Sequence, residues 1–473
     1  MLSVSELAEA TGGEVLNPEP REVKGFSIDT RCLDEGDFFI PLAGSKTDGH
    51  RFIGEAFERG ASGAFVRSEN YVHEDIVNAV LVEDTEKALL GAARYHRSKF
   101  DIPVVGVTGS WGKTTTKELV ASILSNSGTV HKSPGNYNTE YGLPLSLLEM
   151  EDGVEYGVFE LGLQHPGDIK ELSEVLSPTI GLITGVGRVH SEHFPSVADI
   201  AREKLQLTAG MASESKLLIN ADSKPLVGEA ESSKSVEHHR LIDYSIENPD
   251  SRYFAREISI KGLGGLGFKL EVNGGGESHG SEPRSLTLSL ESGLNSLANV
   301  VNVLAASSIS LELGVPRSCV REGVKINPLP QRLNPMDFPG GTVIDDTYNA
   351  NPAATRNVLE FISEINSFDR KVFVFGDMKE LGREAKELHR ELAPHVIAAG
   401  VDRVLATGKL ALALVEEINK SGNDDLVSAE WFESKVGLVK RLKEDLNETG
   451  NLVLVKGSRS MKMEEIVESL VGN

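Results

Sequence analysis

Two cysteines, Cys32 and Cys319, are all that 473 residues contain, and they lie far apart. That scarcity excludes a disulfide framework and a cysteine-rich metal centre. Positive charge is also short: 48 Lys and Arg stand against 71 Asp and Glu, for a net charge of -23. A broad nucleic-acid surface or an anionic membrane as partner is thereby disfavoured, since both demand a positive footprint. Any anionic ligand must be held locally. No stretch reaches the roughly 18 uninterrupted apolar residues of a membrane span. The early Glu6 and Glu9 do not suit a signal peptide. The expectation is a cytoplasmic protein with no membrane insertion.

What is present is the profile of a soluble globular chain, 40% hydrophobic and 25% charged. At about 100 to 200 residues per domain, the length predicts three domains. Residues 1–98 mix short apolar runs such as Asp37 to Leu42 with turn clusters, and end in an amphipathic stretch around Ala88 to His96. This reads as a small α/β unit. From Pro103, short buried runs alternate with helical segments: Val104 to Val107, Leu119 to Leu124, Val158-Phe159, Ile180 to Thr184 and Leu217 to Ile219. Such alternation predicts a mostly parallel sheet with helices on its faces. A Gly- and Ser-rich section from Lys261 to Ser281, between two strand-like runs, reads as a β-meander loop within this second unit. The turn Gly314-Val315-Pro316 marks a boundary, and a second α/β series follows with strands at Thr342 to Ile344, Val372 to Phe375, Arg403 to Ala406 and Leu452 to Val455. The expected domains are 1–98, 99–313 and 314–473.

Between the run Val104 to Val107 and the helical pattern of Thr115 to Ser125 lies Thr108-Gly109-Ser110-Trp111-Gly112-Lys113-Thr114-Thr115. In a strand-to-helix turn, glycines let backbone N–H groups approach phosphate oxygens and the helix N-terminus favours negative charge. Lys113 is then placed to reach terminal phosphates and Thr114 to ligate magnesium. Val107 stands where the standard loop has its first glycine, so only the shorter Gly-x-x-Gly-Lys-Thr form is present. The loop alone says nucleotide, not reaction. Gly262-Leu263-Gly264-Gly265-Leu266-Gly267 matches a dinucleotide fingerprint in letters, but Phe268 to Val272 after it reads as strand where the fingerprint needs a helix. It is a glycine-rich hairpin.

Glu160 ends the run Tyr156 to Phe159, which puts a carboxylate at the carboxyl edge of a parallel strand, where ligands of open α/β sheets bind. A further strand leads to His190, Glu192 and His193, and a helix after Ser196 carries Lys204. A carboxylate and an imidazole behind a phosphate loop suit a magnesium site. The His190, Glu192, His193 spacing is not that of a helical zinc site.

The chain resembles the Mur peptide ligases over essentially its full length, nearest to the branch that uses D-alanyl-D-alanine. The likeness rests on Ser27 to Arg31, Gly36 to Phe39 and Asp48 to Phe52, then on Gly135 to Asn138, Glu160 to Gly162 and His190 to Glu192. Its most specific part is Asp345 to Pro352, Gly376 to Gly382 and Lys456 to Arg459. The resemblance implies an α/β chain of three domains: a small N-terminal uridine-nucleotide-binding domain, a central P-loop ATPase domain and a C-terminal Rossmann-like domain. It further implies ATP-dependent joining of D-alanyl-D-alanine to a UDP-muramoyl-tripeptide by a monomer.

By position, the resemblance gives Gly109, Ser110, Gly112, Lys113, Thr114 and Thr115 to the nucleotide. Asn299 falls at the adenine, Arg332 at the phosphates and Asp346 at the ribose. Thr114 and Glu160 would hold one magnesium, and His190 with Lys204 as a carbamate the second. Ser27, Asp29, Thr30, Arg31, Asp48, Gly49 and His50 would bind the uridine nucleotide, and Asn136 and Asn138 the substrate nearby. Tyr348, Asn349 and Asn351 would line the dipeptide pocket, with Lys456, Ser458 and Arg459 orienting the peptide substrate.

Three positions depart from the family pattern: Trp111 where asparagine is common, Asn295-Ser296 where His-Asn is usual, and Gln164-His165 where Ala-Asn-His is commoner. Three other readings predict different behaviour. A sister ligase would take another amine. A P-loop ATPase or switch protein would release phosphate without one. A nucleotide-sugar-binding module would carry a degenerate ATP site.

Overall fold

Three sheets, each built from one continuous stretch of chain, organise the computed structural model, which describes residues 1–44, 47–68, 76–188, 193–274, 286–421, 427–446 and 448–472. The first holds five strands, β1 (Glu14–Leu16), β2 (Gly25–Ser27), β3 (Asp37–Phe39), β4 (Gly63–Val66) and β5 (Ala79–Leu81), in the order β1-β5-β4-β3-β2. Only β1 runs antiparallel to its neighbour.

The middle sheet holds nine: β6 (Val104–Thr108), β7 (Val130–Lys132), β8 (Tyr156–Glu160), β9 (Ile180–Ile183), β10 (Lys216–Asn220), β11 (Arg240–Ser245), β12 (Tyr253–Ile260), β13 (Leu266–Val272) and β14 (Leu286–Ser292). Their order is β14-β13-β12-β11-β10-β9-β6-β8-β7, parallel from β12 through β7 and antiparallel at the β12-β13-β14 end. The glycine run at 262–267 turns the chain from β12 into β13, the hairpin its sequence predicts.

The third sheet has six strands, β15 (Asn334–Phe338), β16 (Gly341–Asp346), β17 (Arg370–Gly376), β18 (Arg403–Thr407), β19 (Ser428–Phe432) and β20 (Asn451–Lys456). They are ordered β15-β16-β20-β17-β18-β19, and all but β15 are parallel. The protein is thus an α/β chain of three mixed, mostly parallel sheets. Among the described residues no helix is long and apolar enough to cross a membrane.

Sheet order positions the site. After β6 the chain builds β7 and β8 on one side, then crosses to place β9 on the other. The carboxyl end of β6 is therefore a point where strand order reverses, and such a point leaves a crevice for ligands. The helix Lys113–Ser125 that follows β6 buries Leu119, Val120, Ile123 and Leu124 completely, each worth about 1.5 to 3 kcal/mol relative to exposure. Helix Arg317–Gly323 crosses it so closely that a Cβ on Gly323 would lie 2.3 Å from Ile123 Cα. Gly323→Ala is therefore expected to cost about 1 to 3 kcal/mol by forcing the two backbones apart; urea unfolding at wild-type stability would contradict this.

The first two sheets are joined through helices. Helix Thr85–Ser98 packs on Gly142–Leu148 and Asp168–Leu176, and Arg97, only 7% exposed, donates to the carbonyls of Leu176 and Ser177. One apolar cluster accordingly runs from Leu2 to Val236.

Candidate active site

Gly109 and Gly112 open the loop after β6. Both take positive φ, +154° and +74°, and both are closely approached: an added Cβ would meet Thr184 Oγ1 at 1.9 Å and Asn302 Oδ1 at 2.3 Å. Gly112 sits at the N-cap of helix Lys113–Ser125, with no side chain capping it and no acidic residue in its first turn. Helix Val197–Leu205, which carries Lys204, is by contrast closed by a Ser196–Asp199 capping box. An uncapped helix start with its dipole unopposed is built for an anion. Lys113 Nζ folds back onto the Gly109 carbonyl at 3.0 Å. Burial pushes its amine below the ordinary lysine range, Glu160 opposes that, and Arg332 reinforces it.

Glu160 and Arg332 converge on Thr114 of this loop, and Asn138 on Glu160. Thr114 Oγ1 donates to Glu160 Oε2 at 2.7 Å, and Asn138 Nδ2 donates to Glu160 Oε1 at 2.7 Å. Arg332 reaches across to donate to Thr114 Oγ1 at 2.8 Å, with its guanidinium 3.9 Å over the Tyr348 ring. Asp346 accepts from Leu333 N and from Lys456 Nζ, and Lys456, 2% exposed, also donates to the Asn349 carbonyl. Asn351 caps helix Pro352–Ser363 through Ala354 N, and Arg459 donates to Gln331 and Glu464.

A cleft of about 420 Å³ runs between the middle and third sheets. It is lined by Ser110, Gly112, Lys113, Thr114, Thr115, Asn136, Asn138, Glu160, Asn299, Arg332, Asp346, Tyr348, Asn349, Asn351, Lys456 and Arg459. Gly109 lies just behind the lining, and so does Ser458, whose Oγ accepts from Lys379 N. Lys204 is 1% exposed and lies outside the lining. Burial holds its amine well below the usual lysine range and Lys113 adds to the effect, against Glu203 and Glu160. His190 and Glu192 lie outside the described residues.

The uridine-nucleotide candidates lie elsewhere, in two loops of the first sheet's region. Ser27 Oγ donates to the Asp29 carbonyl, and the Asp29 carboxylate caps Thr30–Cys32 through Arg31 N. The Arg31 side chain holds that carboxylate down to about 2. Asp48 accepts from His50 and Arg67, Gly49 lies against the Leu42 backbone, and the His50 ring is buried. Thr30, in the short helix that Asp29 caps, is buried.

Two residues that the sequence did not single out support the cleft, Asn302 from its lining and Lys117 from behind it. Asn302 accepts from Thr116 Oγ1 and donates to Asn299 Oδ1, tying the helix Leu297–Glu312 to the helix that follows the phosphate loop. Its signal was its place three residues beyond Asn299, on the same helix face. Lys117, fully buried, donates to the Ser133 and Gly135 carbonyls and so holds the loop that presents Asn136 and Asn138. In sequence it looks like any helical lysine.

Profiles of known families match along the chain: the Mur ligase family catalytic domain over residues 22–99, the Mur ligase middle domain over 107–309 and the Mur ligase glutamate ligase domain over 331–459. The UDP-N-acetylmuramoyl-tripeptide–D-alanyl-D-alanine ligase of Bacillus subtilis (strain 168) is 32% identical, the match covering 99% of this chain and 98% of that one. The chain belongs to the Mur ligase family. Membership makes it an ATP-dependent ligase that forms an amide bond. MurF from Acinetobacter baumannii superposes with a TM-score of 0.87 at 27% identity, covering 100% of this chain and 99% of that one. The MurF ligase from Thermotoga maritima, solved in complex with ADP, gives 0.78 at 26% identity, with 95% and 97% covered.

Proposed function

We propose that this chain joins D-alanyl-D-alanine to a UDP-N-acetylmuramoyl-tripeptide in peptidoglycan precursor synthesis, at the expense of ATP and through an acyl phosphate. The observation that carries the reading is the cleft itself, in which Arg332 and Tyr348 of the third sheet's region meet Thr114 and Glu160 of the phosphate loop's. The full-length likeness to ligases named for that reaction supports the choice of substrates. The proposed division is 1–98 for the uridine nucleotide, 99–313 for ATP and 314–473 for the dipeptide. Ser27, Asp29, Thr30, Arg31, Asp48, Gly49 and His50 make up the nucleotide-sugar end.

In the first step the tripeptide's terminal carboxylate attacks the γ-phosphorus, forming an acyl phosphate and releasing ADP. The dipeptide's amine then attacks the acyl carbon, loses a proton and expels inorganic phosphate. Because two anions must meet first, charge neutralisation is the main demand on the protein. Lys113 and Arg332 supply two cations at the loop, and the helix N-terminus supplies oriented N–H groups. Tyr348 stacks under Arg332 and keeps it aimed at Thr114. Between the sheets, the cleft keeps water from the acyl phosphate.

The donors suit magnesium: Thr114 and Glu160 present adjacent hard oxygens, the kind that ion takes. When bound there it neutralises phosphate charge and polarises the phosphoryl oxygens. A second ion would be held by His190 with a carbamate on Lys204. The fit at Lys204 is chemical, since carbamylation needs an uncharged amine, and burial beside Lys113 disfavours the charged form. We further propose a cytoplasmic monomer that acts without nucleic acid, in keeping with its net charge of -23.

The test is product mass. With UDP-muramoyl-tripeptide, ATP and magnesium, purified protein is expected to form the pentapeptide from D-alanyl-D-alanine and to release phosphate only when both peptide substrates are present. Product with a different amine from the panel would reassign the protein to a sister ligase. Phosphate release with no acceptor would return it to an ATPase.

A further inference from the structure

Trp111 is the one aromatic side chain in the phosphate loop, and none of the nucleotide, metal or peptide contacts proposed above involves it. Its indole lies against the segment that leaves β9. A Cβ built on Gly187 would fall 2.3 Å from Trp111 Cζ3, and one on Gly185 would fall 2.9 Å from Cζ2. Two glycines thus make the floor on which the ring rests. The same two segments are also tied through the backbone. Ser110 N donates to the Gly185 carbonyl at 2.9 Å, Gly187 N donates to Ser110 Oγ at 3.1 Å, and Ser110 Oγ donates to the Gly187 carbonyl at 3.2 Å. Thr184 Oγ1 donates to the Trp111 carbonyl at 2.5 Å. Trp111 itself also borders the cleft.

The segment so held leads somewhere. Arg188 follows Gly187 directly and forms an ion pair with Glu384, in the region of the third sheet. Both side chains are more than half exposed, so the pair adds little energy, but it marks where the segment meets the region of the third sheet, outside the cleft lining. In sequence the same segment continues to His190.

We propose that Trp111 is a positioning residue of the ligation reaction: its ring wedges on Gly185 and Gly187 and fixes segment 184–188 relative to the phosphate loop. Nucleotide bound by the loop and the groups carried by the segment then keep one geometry, which a hydrogen-bonded seam of small residues alone holds less firmly. The inference rests on the ligase reading above for the reaction it affects, while the wedge itself is a matter of packing.

The test uses the full-length enzyme and a suppressor design. Gly187 is not among the residues with positive φ, so alanine is allowed by its backbone and only the indole stands in its way. Gly187→Ala is expected to lower kcat about tenfold or more while leaving ADP affinity, read by calorimetry, within about threefold. Trp111→Ala is expected to lower kcat by a smaller factor. Combined with Trp111→Ala, the Gly187→Ala loss should disappear, so that the double variant turns over within about threefold of Trp111→Ala alone.

A Gly187→Ala enzyme at the wild-type rate would overturn the proposal, and so would losses that multiply in the double variant. If Gly187→Ala alone does not fold, the double variant decides: folding and turnover like Trp111→Ala support the wedge, and failure to fold overturns it. A loss of thermal stability with kcat and ADP affinity both unchanged would make Trp111 a packing residue only, and would also overturn it. Wild-type product mass settles the substrate reading separately, because the variants are scored against wild type on ADP formed during turnover in the presence of whichever amine wild type accepts.

Discussion

Lys204→Ala is expected to lower kcat by at least about a hundredfold without unfolding the protein, and short carboxylic acids are expected to restore part of the loss. Lys204 lies in the helix Val197–Leu205, which its Ser196–Asp199 capping box closes independently of the lysine. Alanine is the best helix former, and the change removes a buried amine that the environment already disfavours in its charged form. Stability should therefore hold. Activity should not, because the proposed role is a carbamate oxygen donor beside Glu160, and removing one charge-stabilising donor costs about a hundred- to a thousandfold. Formate or acetate, entering the space left by the side chain, should return several-fold of the lost rate. Steady-state rates with and without added acid read both effects. Full activity of the variant would remove the carbamate and the second magnesium from the mechanism, whereas loss without rescue would leave a role for the lysine but not as a carboxylate carrier.

Lys113→Met should be comparably damaging, with kcat lower by about a hundred- to a thousandfold. The lysine's ammonium is bound to the Gly109 carbonyl and sits near Glu160 and Arg332. Methionine keeps most of the stem's bulk, so packing of the loop is retained while the cation is lost. Two anions then approach a loop where the remaining bound side-chain cation is Arg332, held to Thr114, and the first step suffers most. Formation of the acyl phosphate, trapped as its hydroxamate, should fall in parallel with overall ligation. A variant within threefold of wild type in trapped intermediate would place phosphate neutralisation elsewhere.

Why these two lysines differ was only partly legible in the sequence. Lys113 announces itself: a β-branched strand, two glycines and a helical pattern surround it, and each of these is local. Lys204 has no local signature, since a lysine in an amphipathic helix reads as solvent-facing, and only the family resemblance raised it. Its burial depends on helix Val197–Leu205 packing against helices Lys224–Ser232 and Asp168–Leu176, contacts that no spacing within the helix encodes. The same holds for Lys117 and Asn302, whose buried polar ends find partners 16 to 186 residues away. His50, placed by resemblance at the uridine nucleotide, has its ring packed inside the first sheet's region and held by Asp48.

By itself the sequence determined the element types and the strand-to-helix form of the glycine loop at 108–115, because strand alternation, helical spacing and glycine chemistry act over a few residues. It also separated the glycine hairpin at 262–267 from a dinucleotide site, since the strand that follows is just as local. The tertiary structure alone decided which groups meet. Arg332 and Thr114, 218 positions apart, share a hydrogen bond, and Trp111 rests on Gly185 and Gly187, only because β6 lies between β8 and β9 and the third sheet closes over their carboxyl ends. Hydrogen bonds and close packing act between surfaces brought together by the whole fold, and no local pattern reports that distance.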